Sequence, residues 1–232
     1  MRRVLVVTAH PDDVDFAAAG TVATFVAAGV EVAYCIATSG EAGGSDATVP
    51  RSEMAKVRQA EQRAAAAELG VTDVTFLGHP DGYLQPTIEL RRDITRAIRR
   101  FRPDRVLTQS PHRSWASVYG DHPDHLAAGE AAACAVYPDA RNPFAHPELL
   151  EEGLEPHTVA EIWLMGAPTP TVTIDITAAF DRKLAALRRH VSQVGSGEHL
   201  EGMLREWNGA QSQAAGLGEG RLAESFRSFA TG

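Results

Sequence analysis

Short apolar runs alternate with longer amphipathic ones along this chain. Val4 to Thr8 is continuous, apolar and β-branched, the pattern of a strand buried on both faces. Asp13 to Ala28 reads as a helix stopped at Gly29, and Val30 to Ala37 as a second strand. Ser39 to Pro50 is a Gly-rich loop and a candidate lid. Arg51 to Leu69 is a charged, Ala-rich helix ending at Gly70. Val74 to Leu77 is a third strand, Thr87 to Phe101 a helix that stops before Pro103, and Arg105 to Thr108 a fourth strand. A long loop, Ser110 to Asp121, leads into a helix from Pro123 to Val136. Ile162 to Met165 and Val172 to Ile176 have the look of two more strands, Ala178 to Val191 of a helix, and the tail from Ser196 of a Gly-rich helical segment.

Strand and helix alternate four times, which predicts the α/β class: a Rossmann-like, mostly parallel sheet with helices on both faces. No repeat or linker interrupts the pattern, so residues 1–232 are expected to form a single domain. The 44% hydrophobic content supports a sizeable core. With 22 Lys and Arg against 30 Asp and Glu, the net charge of −8 disfavours a bulk nucleic-acid binder. The longest uncharged stretch, Phe16 to Val30, contains Gly20, Thr21 and Thr24 and is too polar to span a membrane. The apolar start is too short for a signal-peptide core, so the chain is expected to be cytoplasmic. Cys35 and Cys134 fall in apolar segments and are expected as buried free thiols.

The first strand-to-helix turn carries the candidate chemistry. A dinucleotide fold would place G-x-G-x-x-G there, whereas this chain has Ala9-His10-Pro11-Asp12-Asp13-Val14-Asp15. Three carboxylates repel a phosphate, and carboxylates beside a histidine suit a cation. His10 and Asp13 can aim at one point, but a catalytic zinc site needs a third protein ligand. If the strands are ordered 3-2-1-4, the turn after strand 4 adjoins the first one at the topological switch point. That segment reads Asp121-His122-Pro123-Asp124-His125. An aspartate near a helix start commonly caps it, and a lone histidine is commonly a surface or core residue. Two His/Asp clusters on the two turns that border one crevice favour a metal site instead.

These paired motifs resemble the LmbE-like (PIG-L) family of zinc-dependent N-deacetylases. Arg58-x-x-Glu61, Leu77-Gly78-His79-Pro80-Asp81-Gly82, and Asp175 with Lys183 and His190-Val191-Ser192-Gln193 resemble its further signatures. The resemblance implies metal ligands His10, Asp13 and His125, a general base Asp12, and His122 as the group that polarises the carbonyl and protonates the departing amine. It implies that Asp124 orients His122 and that Arg58 and Asp81 contact the sugar. On this reading Asp124 raises the pKa of His122 and so favours a protonated donor. Ser192-Gln193 receives no role.

Val14 and Asp15 stand where many members have a glutamate. Tyr119 lies one position away from a tyrosine of the mycothiol-pathway relatives, which puts a catalytic part for it in doubt. The implied activity is removal of an N-acyl group, N-acetyl by expectation, from an amino sugar or small N-acetylglucosamine conjugate. The implied cofactor is Zn2+, with Fe2+, Co2+ or Mn2+ acceptable to the same donors. The partner is then a small N-acylated sugar, and many relatives are homo-oligomers. An amidase cleaving a mycothiol-type thiol conjugate is the nearest rival, separable only through the loops at 39–50 and 110–121. A non-catalytic ligand-binding α/β module is the distant one. Trp115 is a candidate for stacking on a sugar and His79 for a sugar contact. Trp163 and Trp207 read as structural, His190 as packing, and His112, His146, His157 and His199 as solvated loop residues.

Overall fold

The computed structural model describes residues 1–232 except 45, 116, 117 and 119. In chain order the main elements are β1 (Arg3–Thr8), α1 (Asp13–Ala27), β2 (Glu31–Thr38), α2 (Arg51–Glu68), β3 (Asp73–His79), α3 (Ile88–Phe101), β4 (Arg105–Gln109), α4 (Pro123–Val136) and α5 (Pro147–Glu151). They continue with β5 (Glu161–Met165), β6 (Val172–Asp175), α6 (Phe180–Leu187), α7 (Val191–Val194), α8 (Leu200–Ala214) and β7 (Ala223–Ala230).

The seven strands form one sheet in the order β3-β2-β1-β4-β5-β7-β6. The first five pair in parallel, while β7 runs antiparallel between β5 and β6. The order 3-2-1-4 is therefore present, with the switch point between β1 and β4. Period-two alternation along β1 divides the core in two. Leu5 and Val7 face Leu90, Ile94, Ile98 and the alanines of α4, whereas Val4 and Val6 face Ala18, Ala19, Val22 and Ala65 of α1 and α2. Helices thus cover both faces, as parallel strands require.

The carboxy-terminal third departs from the sequence reading. The helix expected over 178–191 is divided: a 3₁₀ turn at Thr177–Ala179 precedes α6, and His190 separates α6 from α7. The tail forms α8 and then strand β7 rather than helix alone. A strand of sequence AESFRSFA was hidden because charged Glu224 and Arg227 break its apolar pattern. Glu224 is buried only because the Lys183 ammonium donates to it at 2.6 Å and the Gly20 and Thr21 backbone N–H groups donate to it at 3.1 and 2.7 Å. Cys35 is buried as expected, but Cys134 is half-buried on α4. His146 and His157 are not free in solvent: they contact the Asp139 carboxylate and the Pro103 carbonyl at 3.4 and 2.7 Å. No helix among the described residues is long and apolar enough to cross a membrane.

Candidate metal centre and active site

The carboxyl ends of β1 and β4 are tied together by Gln109, whose side chain accepts the Ala9 N–H at 3.0 Å. Each strand feeds one of the two His-Pro-Asp turns. On the first, the Asp13 carboxylate accepts the His10 backbone N–H at 2.7 Å, which folds it back beneath the imidazole. Asp13 then lies between two rings: its Oδ2 is 3.5 Å from His10 Nδ1 and its Oδ1 is 3.0 Å from His125 Nε2. The rings of His10, His122 and His125 lie within about 5 Å of one another, their centroids 5.0 to 5.2 Å apart. Their nearest ligand atoms, one per ring, lie within 4.8 Å. His10 also forms such a group with Asp81 and Asp124. Those two carboxylates are already engaged by backbone amides, Asp81 by Ala42 at 2.8 Å and Asp124 by Gly82 and Leu84 at 2.7 and 3.1 Å.

His10 Nε2 faces Asp81 Oδ1 at 3.1 Å and Asp124 Oδ2 at 3.2 Å, while Nδ1 faces Asp13. A carboxylate on one imidazole nitrogen fixes the tautomer and leaves the other nitrogen to a metal. Burial opposes protonation of His10, but the bonds to Asp124, Asp13 and Asp81 prevail and push its pKa up to about 12. Burial likewise opposes ionisation of Asp13, Asp81 and Asp124, yet contact with His125 and His10 holds Asp13 low, and His10 with backbone N–H groups holds the other two low. Against the four carboxylates of Asp12, Asp13, Asp81 and Asp124 stand the Arg58 guanidinium, on Asp12 at 3.1 Å, and the Arg51 guanidinium, on the Asp81 carbonyl at 2.9 Å. This surplus of carboxylate and imidazole donors fits a divalent cation.

Asp12 occupies the N-cap position of α1, but its side chain makes no capping bond, and its backbone is left-handed at φ 87°. The ordinary role of an aspartate at a helix start is therefore absent. Its carboxylate instead meets Arg58 Nη2 at 3.1 Å. Burial raises the Asp12 pKa, Arg58 pulls it down and Asp13 raises it again, leaving it pushed up to about 6. Arg58 is buried and also donates to the Gly40 and Pro11 carbonyls at 2.9 and 2.7 Å. A Cβ at Gly40 would sit 2.4 Å from its guanidinium, so the first half of the expected lid is a cradle for Arg58.

Asp124 does not orient His122 through its carboxylate, which is spent on His10. The link runs through the backbone: Asp124 N–H donates to His122 Nδ1 at 3.2 Å, making His122 the N-cap of α4. With Nδ1 an acceptor, the neutral ring carries its proton on Nε2. The expected rise in the His122 pKa is also overturned. Burial lowers it, the charges of His10 and His125 lower it further, and Asp124 only partly compensates.

Ser192 donates to Glu61 from both its backbone N–H, at 2.8 Å, and its hydroxyl, at 2.6 Å, which fastens α7 to α2. His79 is held by Asp93 at 3.1 Å. The Asp121 carboxylate accepts the Ser114 and Trp115 N–H groups at 2.9 and 3.0 Å, and Trp115 is 84% exposed. Tyr119 lies outside the described residues. The sequence reading missed Gln62, a buried α2 side chain that accepts the Asp12 N–H at 2.7 Å. It stands four residues after Arg58 and so shares its helical face, a spacing that was there to be read.

The family model described as GlcNAc-PI de-N-acetylase (PIG-L) matches residues 5–136. A diacetylchitobiose deacetylase of Thermococcus kodakarensis is 34% identical over 83% of this chain and 70% of its own. A 1D-myo-inositol 2-acetamido-2-deoxy-alpha-D-glucopyranoside deacetylase of Rhodococcus erythropolis is 30% identical, over 83% of this chain and 81% of its own. Among solved structures, the N,N'-diacetylchitobiose deacetylase of Pyrococcus horikoshii superposes with a TM-score of 0.90 at 31% identity, covering 98% of this chain and 84% of that one.

Proposed function

The chain belongs to the PIG-L (GlcNAc-PI de-N-acetylase) family, and from that premise we propose that it is a metal-dependent hydrolase removing the N-acetyl group from N-acetylglucosamine-containing small glycoconjugates. The observation that carries this reading is the meeting of the two His-Pro-Asp turns across the β1–β4 switch point, with an uncapped, raised-pKa carboxylate at their edge. The whole of 1–232 serves as one such domain.

His10, Asp13 and His125 are the proposed holders of a divalent ion, zinc by preference, with Asp81 and Asp124 fixing His10 from behind. When bound, such an ion supplies Lewis acidity that makes water a competent nucleophile near neutral pH. Asp12 acts as general base. It takes one proton from the attacking water as the oxygen bonds to the amide carbon, then gives that proton to the nitrogen as the C–N bond breaks. Acetate and the free amine leave.

His122 Nε2–H donates to the developing oxyanion. It needs no second proton to do so, because its neutral tautomer is set by Asp124 N–H. Arg58 and Asp81 are assigned to the sugar as well as to their neighbours.

The test is incubation of zinc-loaded protein with N,N'-diacetylchitobiose. Release of acetate with loss of one acetyl mass from the sugar is expected. An intact disaccharide, together with no acetate from monomeric N-acetylglucosamine, would overturn the proposal.

A further inference from the structure

Behind Asp12 lie three fully buried polar side chains that the hydrolytic scheme leaves unused: Gln62, Asp15 and His190. They come from α2, α1 and the residue before α7. Gln62 Oε1 accepts the Asp12 N–H at 2.7 Å, and Gln62 Nε2 donates to Asp15 Oδ2 at 2.7 Å. His190 Nε2 donates to the same oxygen at 2.8 Å. The chain therefore runs from the C-terminal segment to the backbone of the catalytic carboxylate through hydrogen bonds alone.

Two features separate this chain from ordinary core packing. First, Asp12 is a non-glycine residue at φ 87°, a conformation that persists only where its surroundings over-determine it. The N–H groups at a helix start have no intrahelical acceptor, and Gln62 supplies one. Arg58, one turn earlier on the same face of α2, holds both the Pro11 carbonyl and the Asp12 carboxylate. One helix thus grips Asp12 from both sides of its backbone.

Second, the chain is poorly built for stability by itself. Asp15 Oδ1 and His190 Nδ1 are buried and lack partners among the described residues, and such atoms cost free energy. What Asp15 and His190 do accomplish is directional. With a carboxylate facing its nitrogen, the Gln62 amide can present only its oxygen to Asp12.

We propose that Gln62, oriented by Asp15 and His190, is a positioning residue that holds Asp12 in its left-handed conformation and so sets the aim of the catalytic carboxylate. This rests on Asp12 being the general base. Misplacing a reacting group by roughly 1 Å costs about 10²-fold in other enzymes, whereas a residue that only fills the core leaves turnover intact.

The test is Gln62→Met, similar in volume and unable to accept the Asp12 N–H or donate to Asp15, assayed on N,N'-diacetylchitobiose beside wild type and Asp12→Asn. The expected result is a kcat at least tenfold lower, with KM and zinc content unchanged. The crystal structure of the variant should show Asp12 out of the left-handed region. Wild-type kcat with Asp12 in place would overturn the proposal, as would a fall in turnover matched by loss of zinc. If Asp12→Asn keeps its activity the base assignment falls instead, and if wild type has none the proposed function falls; in either case the crystal structure alone decides whether Gln62 holds Asp12. Should Gln62→Met fail to fold, Asp15→Ala, which removes the acceptor of both the Gln62 and His190 bonds, is read by the same measurements and the same outcomes.

Discussion

Neither Asp12 nor Asp124 plays the capping part common to an aspartate at a helix start. Each stands within the first turn of its helix, yet Asp12 caps nothing, while the carboxylate of Asp124 reaches His10 and leaves the capping of α4 to His122. Which oxygen meets which nitrogen depends on backbone angles that a motif does not encode, so ligand types could be read from the sequence and their partners could not. Asp12→Asn should lower kcat by about 10²–10⁴-fold, the range for a lost acid–base group, and leave zinc stoichiometry intact. The sign of the pH dependence follows from burial: the Asp12 pKa is raised, the carboxyl is protonated and inert below it, and kcat/KM climbs as pH passes through about 6. A pH profile flat from 5 to 7 would remove Asp12 from the role. Because Asp124 buttresses His10, Asp124→Asn should weaken zinc affinity by about 10–100-fold, measured by competition with a chelating dye.

At the scale of elements, close approach decides where the ligands sit. Helix α4 carries Asp124 and His125, and it lies against the end of β4 only because Gly129 has no side chain. A Cβ there would stand 2.3 Å from the Gln109 carbonyl oxygen. Gly129→Ala should therefore destabilise the protein by about 1–3 kcal/mol, the usual cost of overpacking, and should also weaken zinc binding, since Gln109 ties β4 to Ala9 of the first turn. Denaturant unfolding and a zinc titration on the same variant check both parts.

The Lys183–Glu224 pair does comparable work at the other end of the sheet, joining α6 to β7 with both side chains fully buried. Lys183→Met leaves the Glu224 carboxylate buried without its counter-charge, for which a loss of about 3–5 kcal/mol is expected in urea unfolding. Lys183 was visible in the sequence as part of a signature without a function. Its partner was not, because a glutamate in a strand of mixed pattern gives no sign that it is buried.

Over the whole molecule, the alternating half was far more legible than the half that completes it. Strands β1 to β4 and their helices have apolar runs with glycine or proline stops, and the two motifs share one crevice given the order 3-2-1-4, which the sheet adopts. Strand β7 enters the sheet between β5 and β6 from the far end of the chain, and non-local pairing of that kind leaves no local trace. The same holds for Gln62, Asp15 and His190, which meet only after α1, α2 and the segment before α7 have packed.

The measurement that bears most directly on the central claim, that the two turns assemble one cation site, is the zinc stoichiometry of wild type beside His125→Ala and His10→Ala, each titrated after chelator treatment. About one tightly held ion per chain in wild type, lost in both variants, is the predicted result, and zinc at about a hundred times its Kd should add roughly 2.7 kcal/mol to wild-type stability alone. A wild-type chain that takes up no zinc, or an ion retained by His125→Ala, would contradict it.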